Sequence, residues 1–383
     1  MAHLFQQSDV SMSLEQKGFL GCYSTSVGWT EILLDFRQWP DATDDEKGEL
    51  LLQGSQQGDQ VLVSNLLEEA APVDQCDADG KTALRVAIDH DHDTIVSLLL
   101  AKGANCNIPD ANGQAPLHVC SELGKETVAD MLLRAGAHVN MTDTQNLWTP
   151  LHAAVNFGYG DIAVRLLRNR SDINARDKKQ RTPLHIAIRV GNGRMVRTLA
   201  PNSDVDSKDK KGKTALYIAA RYGRDDGAKV LLDNGADRDI PDSGHGWTPL
   251  HLCARYSRNE VAKLLLMSPC NTDLADKEEG QTALHIAANY SSEKLVDYLL
   301  DANCDMNCLD HGGRTALYWA AHNDGACTRK LIRKGADILK GDTTKLRVLL
   351  QDYGRTTEEA ENMMRNGDRD GIISTLSGRR RRI

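Results

Sequence analysis

The chain has 383 residues, 26% of them charged and 40% hydrophobic, and a formal net charge of −8. That balance is ordinary for a folded chain and argues against indiscriminate nucleic-acid binding, while no run approaches the roughly 18 apolar residues of a membrane span. Only 18 residues are aromatic (4 Phe, 5 Trp, 9 Tyr), so Leu, Ala, Val and Ile must fill the core, which suits thin, close-packed helix layers.

In chain order, residues 1–48 come first, with Trp29, Phe36 and Trp39 in polar surroundings. This reads as an N-terminal arm, either docked or disordered until a partner folds it, and Met1 to Glu15 lacks the basic start and apolar run of a leader. From 77 to 342 one tetrapeptide recurs: Thr82-Ala83-Leu84-Arg85, Ala115-Pro116-Leu117-His118, Thr149-Pro150-Leu151-His152, Thr182-Pro183-Leu184-His185, Thr214-Ala215-Leu216-Tyr217, Thr248-Pro249-Leu250-His251, Thr282-Ala283-Leu284-His285 and Thr315-Ala316-Leu317-Tyr318. Successive copies lie 33, 34, 33, 32, 34, 34 and 33 residues apart. Chance does not produce such a period.

Each part of the unit has a physical task. Thr accepts the unpaired N–H groups at a helix start, and Pro fits the next place because its missing N–H has no partner there anyway. Ala pairs such as Ala219-Ala220, Ala287-Ala288 and Ala320-Ala321 let a first helix pack closely on its neighbours. A second helix follows, with Leu98-Leu99, Leu166-Leu167, Leu231-Leu232 or Leu299-Leu300, and Gly103, Gly136, Gly235 or Gly335 stops it. Asp110 to Gly113, Asp209 to Gly212 and Asp310 to Gly313 read as hairpin-like turns. Units three, four and six depart from the pattern at Arg170-Ser171, Pro201 and Ser268-Pro269, so softening or bending is expected between them.

The period and these residues resemble the ankyrin-repeat family over residues 50–342. The resemblance implies an all-α solenoid of stacked helix pairs joined by hairpin-like turns, with eight repeats and degenerate caps. Residues 49–76, with Gly58-Asp59 and Leu66-Leu67, read as an N-terminal capping repeat without its Thr-Pro-Leu-His turn. Residues 343–378 read as a helical C-terminal cap, where Thr356 and Glu359 have capping-box spacing. Arg379 to Arg382 form a basic tail, read equally as an import signal or a solubilising end.

No enzyme is expected, because a catalytic His needs a partner that a periodic slot does not supply. The family uses the fourth-place histidines (His118, His152, His185, His251, His285) to link neighbouring turns. His90-Asp91-His92-Asp93 falls in a loop where adjacent side chains diverge, and Cys304 and Cys308 are one C-x3-C pair with Cys304 in a place elsewhere held by Ala, so no metal site and no cofactor is expected. Gly191-Asn192-Gly193 lacks the strand and third glycine of a dinucleotide site. The flanking segments, 48 or so residues before the array and 41 after it, are too short for a catalytic domain. Nine cysteines without paired spacing point to a reduced compartment, the cytoplasm and also the nucleus.

In the family, the turn tips and the exposed side of the first helix line one concave face. Three places per unit point there: the residue before the Thr, and the two after the Ala-Ala. In units three to seven they bring together Trp148, Phe157, Arg181, Arg189, Lys213, Arg221, Tyr222, Trp247, Arg255, Tyr256 and Tyr290, with Lys178, Lys179, Lys210 and Lys211 at the turns. Ten Lys or Arg against four Asp give residues 177–213 a net of +6, whereas 41–74 carry −8. Trp, Tyr and Arg dominate binding hot spots. The expected function is a protein–protein scaffold or adaptor that holds an acidic or phosphorylated partner segment in this groove. A nucleotide or single-stranded RNA ligand on the same track is the rival, and a ubiquitin-ligase substrate-recognition subunit a third reading, lowered because residues 343–383 lack a Leu-Pro-rich ending. The oligomeric state is left open.

Overall fold

The computed structural model describes residues 43–323 and 325–378. The arm around Trp29, Phe36 and Trp39 and the run Arg379 to Arg382 lie outside the described residues. The chain divides into two compact units, one ending at Gln145 and the other starting at Asn146.

The first unit opens with helix Asp44–Gln57, five residues before the boundary expected from the sequence. The cause is local: Thr43 N donates to Glu46 Oε2 at 3.0 Å and Glu46 N donates to Thr43 Oγ1 at 3.3 Å, a reciprocal capping box. Asp44, Asp45 and Glu46 then fill the first turn, where a helix favours negative charge. Helix Gln60–Glu68 follows, capped by Asp59, and after it come the pairs Ala83–Asp89 with Asp93–Ala101 and Pro116–Leu123 with Glu126–Arg134. First helices pack on first helices and second on second, giving two layers. Leu51, Leu66, Leu84, Ile95, Leu99, Leu117 and Leu132 are fully buried between them. Each such burial is worth roughly 1.5–3 kcal/mol.

The second unit repeats the pair from Pro150–Phe157 with Gly160–Arg168 through Ala316–Asn323 with Gly325–Lys334, again in two layers. Three further helices close it: Thr344–Asp352, Thr357–Arg365 and Arg369–Ser377. Thr356 and Glu359 form the capping box read from their spacing, with Thr356 N donating to Glu359 Oε2 at 2.8 Å. Ala153, Ala154, Ala219, Ala220, Ala287 and Ala288 are at most 1% exposed, so the first helices meet through methyl groups and stay close. The departures are visible. Arg170 takes the helix-ending place usually held by Gly, with φ of +65°, and Pro201 ends its second helix in a short 3-10 turn, Ala200–Asn202. No strand occurs among the described residues, only an isolated bridge between Cys76 and Thr82. None of their helices is long and apolar enough to cross a membrane.

Candidate functional site

The site is assembled from the turn tips of the second unit upward. In each tip an Asp side chain folds back onto its own backbone: Asp177 Oδ1 accepts from Lys179 N and Arg181 N, both at 2.8 Å, and Asp209 Oδ1 accepts from Lys211 N at 2.8 Å and Lys213 N at 2.9 Å. One amide of each tip donates to the tip before it, Lys178 to Asn146 O at 2.7 Å, Lys210 to Lys179 O and Ser243 to Lys211 O at 2.9 Å. The side chains of Lys178, Lys179, Lys210 and Lys211 are exposed on this stapled edge.

The place before the Thr proves to be occupied with holding turns together. Arg181 Nε and Nη2 both reach Asp177 Oδ2, at 2.8 and 2.6 Å. Burial opposes the charge on Asp177, but the Arg181 hydrogen bonds and charge outweigh it and hold that carboxyl below its ordinary range. Arg314 closes on Asp310 at 2.9 Å in the same way. Trp148 and Trp247 are half-buried, and their indole N–H groups point to the Asp of the next turn, Asp177 at 3.4 Å and Asp276 at 3.3 Å. Lys213 lies 5.3 Å from the centroid of the Tyr217 ring. The sequence grouped these residues with the ladder arginines; an Asp four residues before the Arg, in a turn, is the signal that separates them.

The two places after the Ala-Ala behave differently. Arg189 is half-buried and donates through Nη2 to Asn156 Oδ1 at 3.0 Å. Arg221 and Arg255 form no ion pair among the described residues. They lie near rings instead, Arg221 5.9 Å from the centroid of Tyr222, and Arg255 5.9 Å from that of Tyr256 and 4.0 Å from that of Tyr290. Phe157, Tyr222, Tyr256 and Tyr290 are 52%, 46%, 41% and 43% exposed, large apolar surface that the unit itself does not cover. Helix ends set this display: Gly158, Gly191, Gly223 and Ser257 take left-handed φ immediately after these residues and turn the chain away.

The fourth-place histidines are structural links. Thr149, Thr182, Thr248 and Thr282 each donate a backbone N–H to the Nδ1 of His152, His185, His251 or His285, at 3.1–3.2 Å. The other ring nitrogen faces a carbonyl of the next turn: Arg181, Lys213, Gln281, and for His285 both Cys308 and Arg314. Burial pushes the pKa of all four below the ordinary imidazole value. Burial also pushes the Cys304 thiol up to about 12 and the Cys308 thiol up to about 11, the latter helped by Asp305. No group of three or more His, Cys, Asp or Glu side chains among the described residues is placed to hold a metal ion.

Capped helix pairs in two layers, histidine links between repeats and stapled Asp turns define an all-α repeat protein. The family described as ankyrin repeats (3 copies) matches residues 51–143, 135–209, 151–242, 201–276 and 250–342. The chain belongs to the ankyrin-repeat family. A search of curated proteins finds no match. Ankyrin repeats generally mediate protein–protein interaction, and proteins built of them are typically non-enzymatic binding scaffolds.

Proposed function

We propose that the chain is an interaction scaffold that seats an acidic, extended segment of a partner protein on the first-helix face of the second unit, between Trp148 and Tyr290. The observation that carries this reading is the row of exposed rings with guanidinium groups beside them that no acid of the unit neutralises, Arg221 by Tyr222 and Arg255 by Tyr256 and Tyr290. The rings offer apolar area that costs little to order, the arginines offer charge-assisted contacts, and Lys178, Lys179, Lys210 and Lys211 add an attractive field at the edge. Its working place is the cytoplasm or the nucleus, where free thiols such as Cys76 persist.

The test uses a partner captured from native cells and then purified. Replacing Arg189, Arg221 and Arg255 together by Ala should weaken its binding at least about tenfold, equivalent to ~1.4 kcal/mol. The helical spectrum should change little, since Ala is the better helix former. A control triple, Arg197, Lys229 and Lys263 to Ala, removes the same charge from exposed places on the second helices and should have a much smaller effect. Equal losses in the two triples would reduce the reading to net charge. Unchanged binding in the first would remove this face as the interface, and an RNA oligonucleotide that displaced the partner better than an acidic peptide would favour a nucleic-acid ligand.

A further inference from the structure

Resting on that reading, we infer that the anionic group recognised is a phosphomonoester on the partner segment, held by Arg221 and Arg255 among the phenols of Tyr222, Tyr256 and Tyr290. The unit itself shows how it treats carboxylates. Arg181 and Arg314 are each closed by an Asp of their own turn, at 2.6 and 2.9 Å, and these places are spent. Arg221 and Arg255 have no such acid. Their guanidinium carbons lie beside rings instead, Arg255 4.0 Å from the Tyr290 centroid and Arg221 5.9 Å from that of Tyr222. A guanidinium so placed keeps its in-plane N–H edge open, and that fork fits two oxygens of a planar or tetrahedral anion.

The donor supply favours phosphate. The phenol hydroxyls of Tyr222, Tyr256 and Tyr290 have no hydrogen-bond partner among the described residues, although their rings are fixed beside the arginines. A carboxylate has two oxygens, and one fork satisfies both. A phosphomonoester has three terminal oxygens and a charge near −2, so it uses the fork and an adjacent phenol O–H together. The pair occurs twice, as Arg221-Tyr222 and Arg255-Tyr256, one unit apart, so a segment with two phosphates engages both sockets.

The experiment passes the full chain over immobilised degenerate peptide pools of equal length that differ only at a fixed central residue: phosphoserine, Glu or Ser. The phosphoserine pool should be retained about tenfold better than the Glu pool, because the charge and the number of acceptors both rise. Arg221→Ala with Arg255→Ala should bring phosphoserine retention down to the Ser level. Arg255→Lys keeps the charge but loses the fork, and should cost roughly fivefold. Tyr290→Phe keeps the ring and removes only the hydroxyl, so it should lower phosphoserine retention without touching Glu retention. Equal retention of the Glu and phosphoserine pools, both lost in the double variant, would overturn the phosphate assignment and leave the acidic-segment face standing. Retention indifferent to the double variant, or no retention of any pool, would overturn both. Displacement of the phosphoserine pool by a single-stranded oligonucleotide at matched charge would transfer the site to nucleic acid and overturn both as well.

Discussion

In the first unit the fourth place of the repeat is filled by Arg85 and then by His118; in the second, His152, His185, His251 and His285 fill it in four repeats, and Tyr217 and Tyr318 in two. The task of Arg85 and these four histidines is the same, since each side chain reaches the carbonyl of the residue just before the next repeat's helix cap. Arg85 Nη1 lies 3.5 Å from Gln114 O, and His152 Nε2 lies 3.2 Å from Arg181 O. The means differ in charge. Arg85 is 8% exposed and carries its ion pairs inward, to Asp89 at 2.9 Å and Asp110 at 3.0 Å, whereas the histidines cross as neutral rings. The face reverses sign in step. Where the second unit has Arg189, Arg221 and Arg255, the first has Asp89, paired with Lys81 and Arg85, and Glu122, hydrogen-bonded by Gln114 at 2.8 Å. Eighteen carboxylates against six Lys and Arg give residues 43–145 a net of −12, while residues 146–378 have 34 basic and 31 acidic side chains and carry +3. One backbone pattern therefore supports opposite electrostatics, because the places that set the fold and those that set the surface charge are different places.

The largest effect is expected where the first unit's link is cut. Arg85→Ala removes the cation facing buried Asp110, leaving its carboxylate only the amides of Asn112 and Gln114, and should cost about 3 kcal/mol. Denaturant unfolding, combined with hydrogen exchange on residues 83–134, measures it; a cost confined to amides of the second unit would refute this account of the link.

Acid should separate the units next. The four histidines have folded-state pKa values below the unfolded value of about 6.5, so the unfolded chain binds protons first as pH falls. Their contribution is complete above that pH and declines as pH drops below it. Asp89, whose carboxyl Lys81 and Arg85 hold below its ordinary range against the opposing effect of burial, loses its contribution only in the carboxylate range. Exchange protection between pH 7.5 and 5 should therefore fall around the histidine-linked helices of the second unit before it falls around Arg85, over residues 83–101. Simultaneous loss would mean that the histidine links do not set the acid response.

The smallest effect concerns the helix-ending place, where each unit has a non-glycine at positive φ, Ala70 at +59° in the first and Arg170 in the second. Arg170 has φ of +65°, where the first unit has Gly103 and Gly136 at +87° and +88°. Arg170→Gly should relieve strain at the cost of a more flexible unfolded chain, a net gain of about 0.5 kcal/mol in a thermal melt.

The period made the helix pairs, their caps and the turns readable, because Thr, Pro, Ala-Ala and Gly each answer a local backbone demand that recurs unchanged. The first helix was less readable at its start, since the box between Thr43 and Glu46 lies in a run that looks merely acidic. The face was half readable. Sequence spacing groups Arg181 with Arg221 and Arg255, and Trp148 with Tyr256, by their distance from the Thr. It does not show that turn geometry brings Asp177 onto both Arg181 and Trp148, because that depends on where the Asp side chain points after accepting two backbone amides. The rings near Arg255 come from two successive repeats of the second unit, a proximity that repeat length alone does not fix.

The stapled tips also bear on how recognition can change over time. Lys210 N is already committed to Lys179 O, and Ser243 N to Lys211 O, so these amides are not available for an incoming strand to zip onto. A partner at this edge is read by side chains, and side chains at positions such as Lys178, Lys179, Lys210 and Lys211 are replaceable without unmaking any backbone bond. The edge is thus a row of interchangeable letters on a fixed line, where a lineage can rewrite its preferred ligand one substitution at a time while the architecture is inherited intact.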